Sequence, residues 1–216
     1  MRRRSALTAG AGAVLALLAG CTGGNQPVTR STGAPAAPDD RPPPPSSTVD
    51  SDDLARRRVE AGIADCPSSD PEVPAQPDGL PDVTLPCLGG GEQVRLAGLR
   101  GTPLVVNVWA QWCGPCRIEA PYLAAVSQQL DGRVAFLGID YIDPRPELAI
   151  EFAAEADWGY PHVTDELGEV RAPLNILGPP MTVFVDADGH IAHKHPGMVT
   201  SADQLESMIT EHLGVR

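Results

Sequence analysis

Lysine is almost missing from this sequence: Lys194 is the single lysine, and 16 basic residues stand against 28 acidic ones. The formal net charge of −12 and the lack of a basic stripe argue against nucleic-acid binding, which needs clustered Lys and Arg. Aromatic residues make up only 4%. No apolar run reaches the roughly 20 residues of a membrane-spanning helix. The 216 residues, 42% of them apolar, suffice for one core with extensions.

The first 21 residues have the pattern of a secretory signal. Arg2 to Arg4 give a positive start, an apolar stretch follows, and small residues precede Cys21. Leu18-Ala19-Gly20-Cys21 resembles the bacterial lipobox, which implies that Cys21 is lipidated and anchors the protein to the outer face of the cell membrane. A plain signal peptide is the alternative. Residues 22–50 are rich in Pro, Gly and Ser and predict a disordered linker, since they lack the apolar residues that offset ordering entropy.

Residues 51–78 form a predicted N-terminal extension. A short helix is expected within residues 51–65, and Arg56-Arg57-Arg58 is interpreted as its solvated face. Cys66 and Cys87 flank a proline-rich segment, and in an exported protein such a pair predicts a structural disulfide. The alternative is a zinc site built from these two cysteines and the pair described next, which would require tetrahedral convergence.

A second pair of cysteines lies where a buried strand meets a helix. Residues 105–109 form a short β-branched run typical of a strand buried on both faces, and an amphipathic helix follows Cys113-Gly-Pro-Cys116 and ends near Gly132. Unpaired N–H groups and the helix dipole favour an anion at this place, so Cys113 is the predicted nucleophile, partly exposed and with a lowered pKa. Cys116, one turn further, is the predicted buried resolving thiol of a reversible two-electron couple.

The strand, Trp112-Cys-Gly-Pro-Cys and the helix together resemble the thioredoxin superfamily, and most of all its membrane-tethered TlpA/ResA-like thiol-disulfide oxidoreductases. The resemblance covers residues 79–216. It implies an α/β thioredoxin-like fold: a central mixed sheet flanked by helices, with an N-terminal hairpin and a central α/β insertion. It also implies that Trp112 covers one side of the active site and takes part in substrate binding. No cofactor and no metal site are predicted.

Periodicity and turn residues predict the other elements of this domain. They are a hairpin over residues 83–85 and 93–96, a strand over 133–139, helices over 146–156 and 165–171, strands over 181–186 and 190–195, and a closing helix over 202–213.

Two polar positions modify the predicted site. Asn107 stands where thioredoxin has a buried aspartate, and its amide cannot exchange a proton with Cys116. The TlpA/ResA branch has a glutamate three residues after the second cysteine, and the matching residue here is Glu119. The resemblance implies that Glu119 shuttles a proton to Cys116, with a pKa raised by desolvation. The alternative is a glutamate that merely favours a helix N-terminus.

Pro179-Pro180-Met181 matches the segment that opens the strand facing the active site in this superfamily. The resemblance implies a cis bond before Pro180, with the Pro179 carbonyl and the Met181 backbone beside Cys113, where an extended substrate pairs like an added strand. A trans Pro–Pro loop is the alternative. Family members usually have threonine after this proline, and Met181 is expected to make the local surface more apolar.

Five histidines have no obvious role in this scheme. Three of them are interpreted as surface residues of a hairpin, with a copper or zinc site as the alternative: His190, His193 and His195. His162 and His212 have no partner that is visible in the sequence.

The predicted function is disulfide exchange with envelope proteins, in which Cys113 attacks a partner disulfide and Cys116 releases the product. The Gly-Pro dipeptide favours a reductant, which needs an electron donor or acceptor protein in the membrane. By resemblance, substrates include apocytochrome cysteines and misoxidised envelope proteins, and the chain is expected to be a monomer. Two alternatives stay open: a thiol peroxidase, although Ala110 replaces the expected Thr or Ser, and a Cu(I)-handling module that uses the cysteine pair and a histidine.

Overall fold

The structure of the protein, a computed structural model, describes residues 50–216. The predicted signal, Cys21 and all of the predicted linker except Asp50 lie outside them. The elements are α1 (Ser51–Glu60), β1 (Thr84–Leu85), β2 (Val94–Arg95), a 3-10 turn (Leu96–Gly98), β3 (Leu104–Trp109), α2 (Gly114–Gln129), β4 (Ala135–Tyr141), α3 (Pro146–Glu155), β5 (His162–Asp165), α4 (Arg171–Leu174), β6 (Met181–Val185), β7 (Ile191–Pro196) and α5 (Ala202–Leu213). None of the described helices is long and apolar enough to cross a membrane.

Five strands form the central sheet in the order β5-β4-β3-β6-β7. Strand β3 is parallel to β4 and antiparallel to β6, so the predicted mixed sheet is confirmed. Every residue of β3 is buried, because α2, α3 and α5 cover one face of the sheet while the β1–β2 hairpin and α4 cover the other. The start of α2 therefore lies at the end of the most buried strand, which gives the cysteine pair a rigid support.

The predicted helix over residues 165–171 is wrong. Strand β5 occupies His162–Asp165 and pairs in parallel with β4, and helix α4 begins only at Arg171. The Asp165 carboxylate accepts hydrogen bonds from the backbone N–H groups of Glu169 (2.7 Å) and Val170 (3.0 Å), which closes a turn where a helix was expected. Strand β5 has only four residues, and one of them is a histidine, so its sequence does not show a clear strand pattern.

The N-terminal extension corrects a second prediction, since Arg58 is not part of a solvated face. Helix α1 ends at Glu60, and the Arg58 side chain turns into the protein, where it pairs with Asp65 at 2.6 Å and donates to the Ile63 carbonyl. Arg56 and Arg57 do face solvent, and both pair with Asp53. Arg58 therefore orders the chain that follows α1, while the packing of α1 against α3 joins the extension to the domain.

The predicted disulfide between Cys66 and Cys87 is present, with their Cα atoms 5.9 Å apart. The segment around Cys87 lies along the outer edge of β5: Cys87 pairs with Val163, and the Thr164 N–H donates to the Pro86 carbonyl at 2.9 Å. The extension is therefore joined to the sheet both covalently and by backbone hydrogen bonds.

Candidate active site

The redox pair lies at the N-terminus of α2, as predicted. Cys113 is the N-cap residue of the helix, and its sulfur accepts a hydrogen bond from the Cys116 N–H at 3.2 Å. Pro115 falls in the first turn, where a missing N–H leaves no helix hydrogen bond unmade. The structure holds Cys113 and Cys116 as a disulfide with Cα atoms 5.3 Å apart. One turn of helix thus supplies both the electrostatic support and the spacing of the pair.

The expectation that Cys113 is partly exposed is wrong for this disulfide form. Its exposed fraction is 3%, and Cys116 is fully buried. The bond to Cys116 and the hydrogen bond from the Cys116 N–H hold the Cys113 sulfur against the first turn of the helix. In the disulfide form, the pair therefore presents little surface to an attacking thiolate.

The loop before the cysteines is anchored to the connection between β4 and α3. The Gln111 N–H donates to the Asp143 carboxylate at 3.2 Å, and the Arg117 guanidinium donates to the Gln111 carbonyl at 2.9 Å. Trp112 is 51% exposed, and its indole N–H donates to the Ile142 carbonyl at 3.3 Å. The loop is thus held from both sides, and an exposed aromatic surface adjoins the disulfide.

Glu119 is fully buried beneath the cysteine pair. One carboxyl oxygen accepts a hydrogen bond from the Asn107 side-chain amide at 3.2 Å, and the other accepts one from the Val199 N–H at 2.9 Å. Desolvation raises the pKa of Glu119 to about 7, against the lowering effect of these two hydrogen bonds. The expected direction of this shift is confirmed. Glu119 is the third residue after Cys116, so the two side chains share a face of α2.

The loop that leads into β6 contains the predicted cis bond, between Pro179 and Pro180. The Pro180 carbonyl accepts a hydrogen bond from the Gly197 N–H at 3.0 Å. Met181 corrects a prediction: only 5% of it is exposed, because as the first residue of β6 it points into the core on the face away from α2. The exposed apolar residue of this loop is instead Leu177, at 90%.

Two of the histidines have partners that the sequence did not reveal. His162 is buried in a cluster of aromatic rings that includes Trp109, Trp158 and Tyr160, and desolvation lowers its pKa to about 3. His212 stacks on His193, with ring centroids 4.1 Å apart. Across residues 50–216, no three His, Cys, Asp or Glu side chains converge in a way that suits a metal ion.

Asp140 is a buried ionisable residue whose burial the sequence did not reveal. Asp140 of β4 pairs with Trp109 of β3 in the strand register, and neither of its carboxyl oxygens has a hydrogen-bond partner. Desolvation raises the pKa of Asp140 to about 9, with a smaller contribution from Asp143. In the sequence, the one indication that Asp140 is buried is its place in the alternating pattern of β4, on the same face as the core residue Phe136.

A mixed five-stranded sheet with a cysteine pair at the start of the helix after its central strand defines a thioredoxin-like thiol-disulfide oxidoreductase. Residues 75–209 match the Redoxin family model, and the chain belongs to the Redoxin family.

Several proteins with similar sequences are named for thiol-disulfide exchange. The chain is 37% identical over 131 residues to the thiol:disulfide interchange protein DsbE of Pseudomonas fluorescens biotype C, covering 59% of this chain and 71% of the relative. It is 32% identical over 150 residues to the thiol:disulfide interchange protein CycY of Rhizobium leguminosarum bv. viciae, covering 68% and 76%. A solved structure of a thiol:disulfide interchange protein DsbE from Chlorobium tepidum aligns with a TM-score of 0.56 at 26% identity, over 63% of this chain and 96% of that one.

Proposed function

We propose that the protein reduces disulfides of extracytoplasmic proteins, with Cys113 as the attacking thiolate and Cys116 as the resolving thiol. The observation that carries this proposal is the cysteine pair at the N-terminus of α2 with the buried carboxyl of Glu119 one turn further along. The helix start stabilises the Cys113 thiolate. The names of the relatives support disulfide exchange with proteins as the substrate class.

In the reducing direction, the Cys113 thiolate attacks one sulfur of the substrate disulfide, and the other substrate sulfur leaves as a thiolate. Cys116 then loses its proton to Glu119 and attacks the Cys113 sulfur. The bond between Cys113 and the substrate breaks, the second substrate sulfur leaves, and the protein ends as the Cys113–Cys116 disulfide. Two electrons pass to the substrate, so a membrane protein that returns two electrons completes the cycle.

The proposal includes attachment to the membrane through a lipidated Cys21 followed by a flexible linker. The signal-like start and the Leu-Ala-Gly-Cys pattern support it. Mass spectrometry of the protein from membranes of a bacterial host, compared with Cys21→Ser, tests this part. Retention of the variant on membranes without a lipid-sized mass difference would contradict lipid anchoring.

The redox direction is tested by the reduction potential of the Cys113–Cys116 couple against glutathione, with Cys66–Cys87 left intact. A value near roughly −270 mV is expected for a reductant, whereas a value near roughly −120 mV would mean that the protein installs disulfides. A Cys116→Ser variant should accumulate mixed disulfides with its substrates, and Cys113→Ser should not.

Glu119 is proposed to take the proton from Cys116, because its raised pKa lets the carboxyl bind and release a proton near pH 7. Glu119→Gln should slow resolution of a Cys113 mixed disulfide by roughly 100-fold near neutral pH. Stopped-flow measurement of product thiol release checks this value. The control is Glu151→Gln, since Glu151 is an exposed glutamate of α3. Equal rates for Glu119→Gln and the wild type would remove Glu119 from the mechanism.

A further inference from the structure

A row of polar residues crosses the sheet directly beneath α2. In the strand register, Asn107 of β3 lies beside Thr182 of β6, and Thr182 lies beside His195 of β7. Directly paired residues on neighbouring strands place their side chains on the same face, about 5 Å apart. The row therefore leads from the centre of the sheet to its edge.

The face on which this row lies is settled by contacts of its members and neighbours. Asn107 donates a hydrogen bond to Glu119 of α2. Thr182 alternates with Met181 and Val183, which belong to the core on the opposite side. His193, two residues before His195 on the same strand, stacks on His212 of α5. All three polar side chains of the row therefore point toward the helices that cover Glu119.

The Glu119 carboxyl is bonded to elements on both sides of β6. One oxygen accepts a hydrogen bond from Asn107 of β3, and the other accepts one from the Val199 N–H, which follows β7. Strand β6, which carries Thr182, lies between β3 and β7 in the sheet. On the far side, His195 Nε2 lies 3.5 Å from the carbonyl of Met198, the residue before Val199. Glu119 and His195 thus contact the same short loop.

Two atoms of the row are buried with their hydrogen-bonding capacity unused: Oγ1 of Thr182 and Oδ1 of Asn107. Burial of such groups costs free energy, and they are commonly reached by a bridging water. His195, in contrast, is only half-buried at the edge of the sheet. The row thus has a buried end at Asn107, which contacts Glu119, a hydroxyl without a partner in the middle, and an imidazole in contact with solvent.

We propose that Thr182 and His195 form the route by which Glu119 exchanges its proton with solvent during disulfide exchange. This inference rests on the proposed role of Glu119. Cys116 gives its proton to Glu119 and becomes the attacking thiolate, and the departing substrate thiolate takes a proton from solvent. Glu119 then passes its proton through bridging water and the Thr182 hydroxyl to His195, which releases it, so that the carboxylate is ready for the next cycle. His195 suits the last step by its place, since it lies half-buried at the edge of the sheet in contact with solvent.

Other polar groups that face the two ends of the route are few in the described part of the chain. Beside Glu119 these are Asn107, the Val199 N–H and Tyr160, the last close enough for the charge of Glu119 to raise its pKa further after burial. Beside His195 lies His193, whose pKa is lowered by desolvation and by the neighbouring His212 and His195. Glu211 of α5 opposes that lowering.

His195→Gln and Thr182→Val test the route. Both variants keep the shape of the side chain and remove its ability to pass a proton. Each should slow multiple-turnover reduction of a disulfide peptide by about 5- to 10-fold at pH 6 to 8 and enlarge the solvent deuterium isotope effect. Added imidazole should restore the rate of His195→Gln. The reduction potential and the midpoint of thermal unfolding should stay unchanged, since the route affects proton transfer and not the equilibrium.

His190→Gln is the matched control, because His190 lies before the other end of β7 and pairs with Asp78. It should keep the wild-type rate with and without imidazole. Wild-type rates and isotope effects in His195→Gln and Thr182→Val, together with a slow Glu119→Gln, would overturn the route while leaving the proposed role of Glu119 intact. A wild-type rate in Glu119→Gln would overturn both.

Discussion

The two buried carboxyl groups of Glu119 and Asp140 differ in how far their surroundings stabilise a negative charge. Glu119 accepts hydrogen bonds from Asn107 and Val199, which partly offset the cost of burying a negative charge. Asp140 accepts none, and its pKa of about 9 exceeds that of Glu119, which is about 7. At neutral pH, Asp140 is therefore a neutral acid, while Glu119 lies between its two forms. The difference between the two pKa values therefore reflects the hydrogen bonds to Glu119 and the charges of Asp143 and Glu166 near Asp140, and not depth alone.

Asp140 makes the stability of the fold depend on pH. Its pKa is raised in the folded state, so the folded protein holds a proton that the unfolded chain releases above about pH 4. The free energy of unfolding should therefore fall as the pH rises from about 4 to about 9. Asp140→Asn removes this contribution, and its stability relative to the wild type should rise by at least about 1 kcal/mol between pH 5 and pH 8. Urea unfolding at several pH values measures the difference.

The control for this experiment is Asp131→Asn, because Asp131 is exposed after α2. Its unfolding curves should follow those of the wild type at every pH. A constant offset between Asp140→Asn and the wild type across the same range would show that Asp140 is ionised in the folded protein.

At the scale of elements, the N-terminal extension is held by three kinds of contact. Helix α1 packs against α3, the Ala64 N–H donates to the Gly159 carbonyl, and the Cys66–Cys87 disulfide fixes the segment that lies along β5. The disulfide closes a loop with a sequence separation of 21 residues. Its main effect is to restrict the unfolded chain, whereas the other contacts act in the folded state.

Replacing both cysteines, in Cys66→Ser/Cys87→Ser, should lower the free energy of unfolding by about 3 kcal/mol, because the unfolded chain regains the entropy of an open loop. Chemical denaturation of the oxidised wild type and the variant measures the loss. Amide exchange at Leu88 and Thr164, which donate hydrogen bonds across this edge, should increase more than exchange in β3. Unaltered stability would mean that contacts of α1 alone hold the extension.

Elements with a local signal were predictable from the sequence, and those that depend on partners across the sheet were not. The buried run ending at Trp109, the first turn of α2 and the whole of α5 follow from residue type and spacing. Strand β5 did not, because three of its four residues are buried by neighbouring elements, and the sequence does not reveal those contacts. The same reason hid Asp140 and the row from Asn107 to His195, since strand register brings these residues together.

Considered as a whole, the protein carries a strong excess of negative charge, with a formal net charge of −12. Such a charge creates a field that attracts cationic partners and repels anionic ones before contact. The field is screened over roughly 10 Å at 0.1 M salt. Partners that present basic residues around their cysteines are therefore expected to reach the active site faster.

This expectation is tested with two disulfide peptides of equal length, one flanked by lysines and one by glutamates. At low salt, the second-order rate constant for reduction should be several-fold larger for the basic peptide than for the acidic one. The ratio should approach one as salt is raised to about 0.5 M. A ratio that is independent of salt would show that contacts at the site, and not the overall field, select the peptide.

The segment that the Cys66–Cys87 disulfide holds along β5 also governs how the protein behaves at high concentration. Unpaired edge strands invite pairing with other chains, and this segment occupies the edge of β5 through Pro86 and Leu88. The opposite edge, β7, carries Lys194 and ends at Pro196, residue types that discourage such pairing. In a reducing compartment the Cys66–Cys87 disulfide does not form, so the segment along β5 loses its covalent attachment while the sheet remains. We therefore expect the protein to aggregate when it is produced there, and to remain dispersed where Cys66 and Cys87 are oxidised.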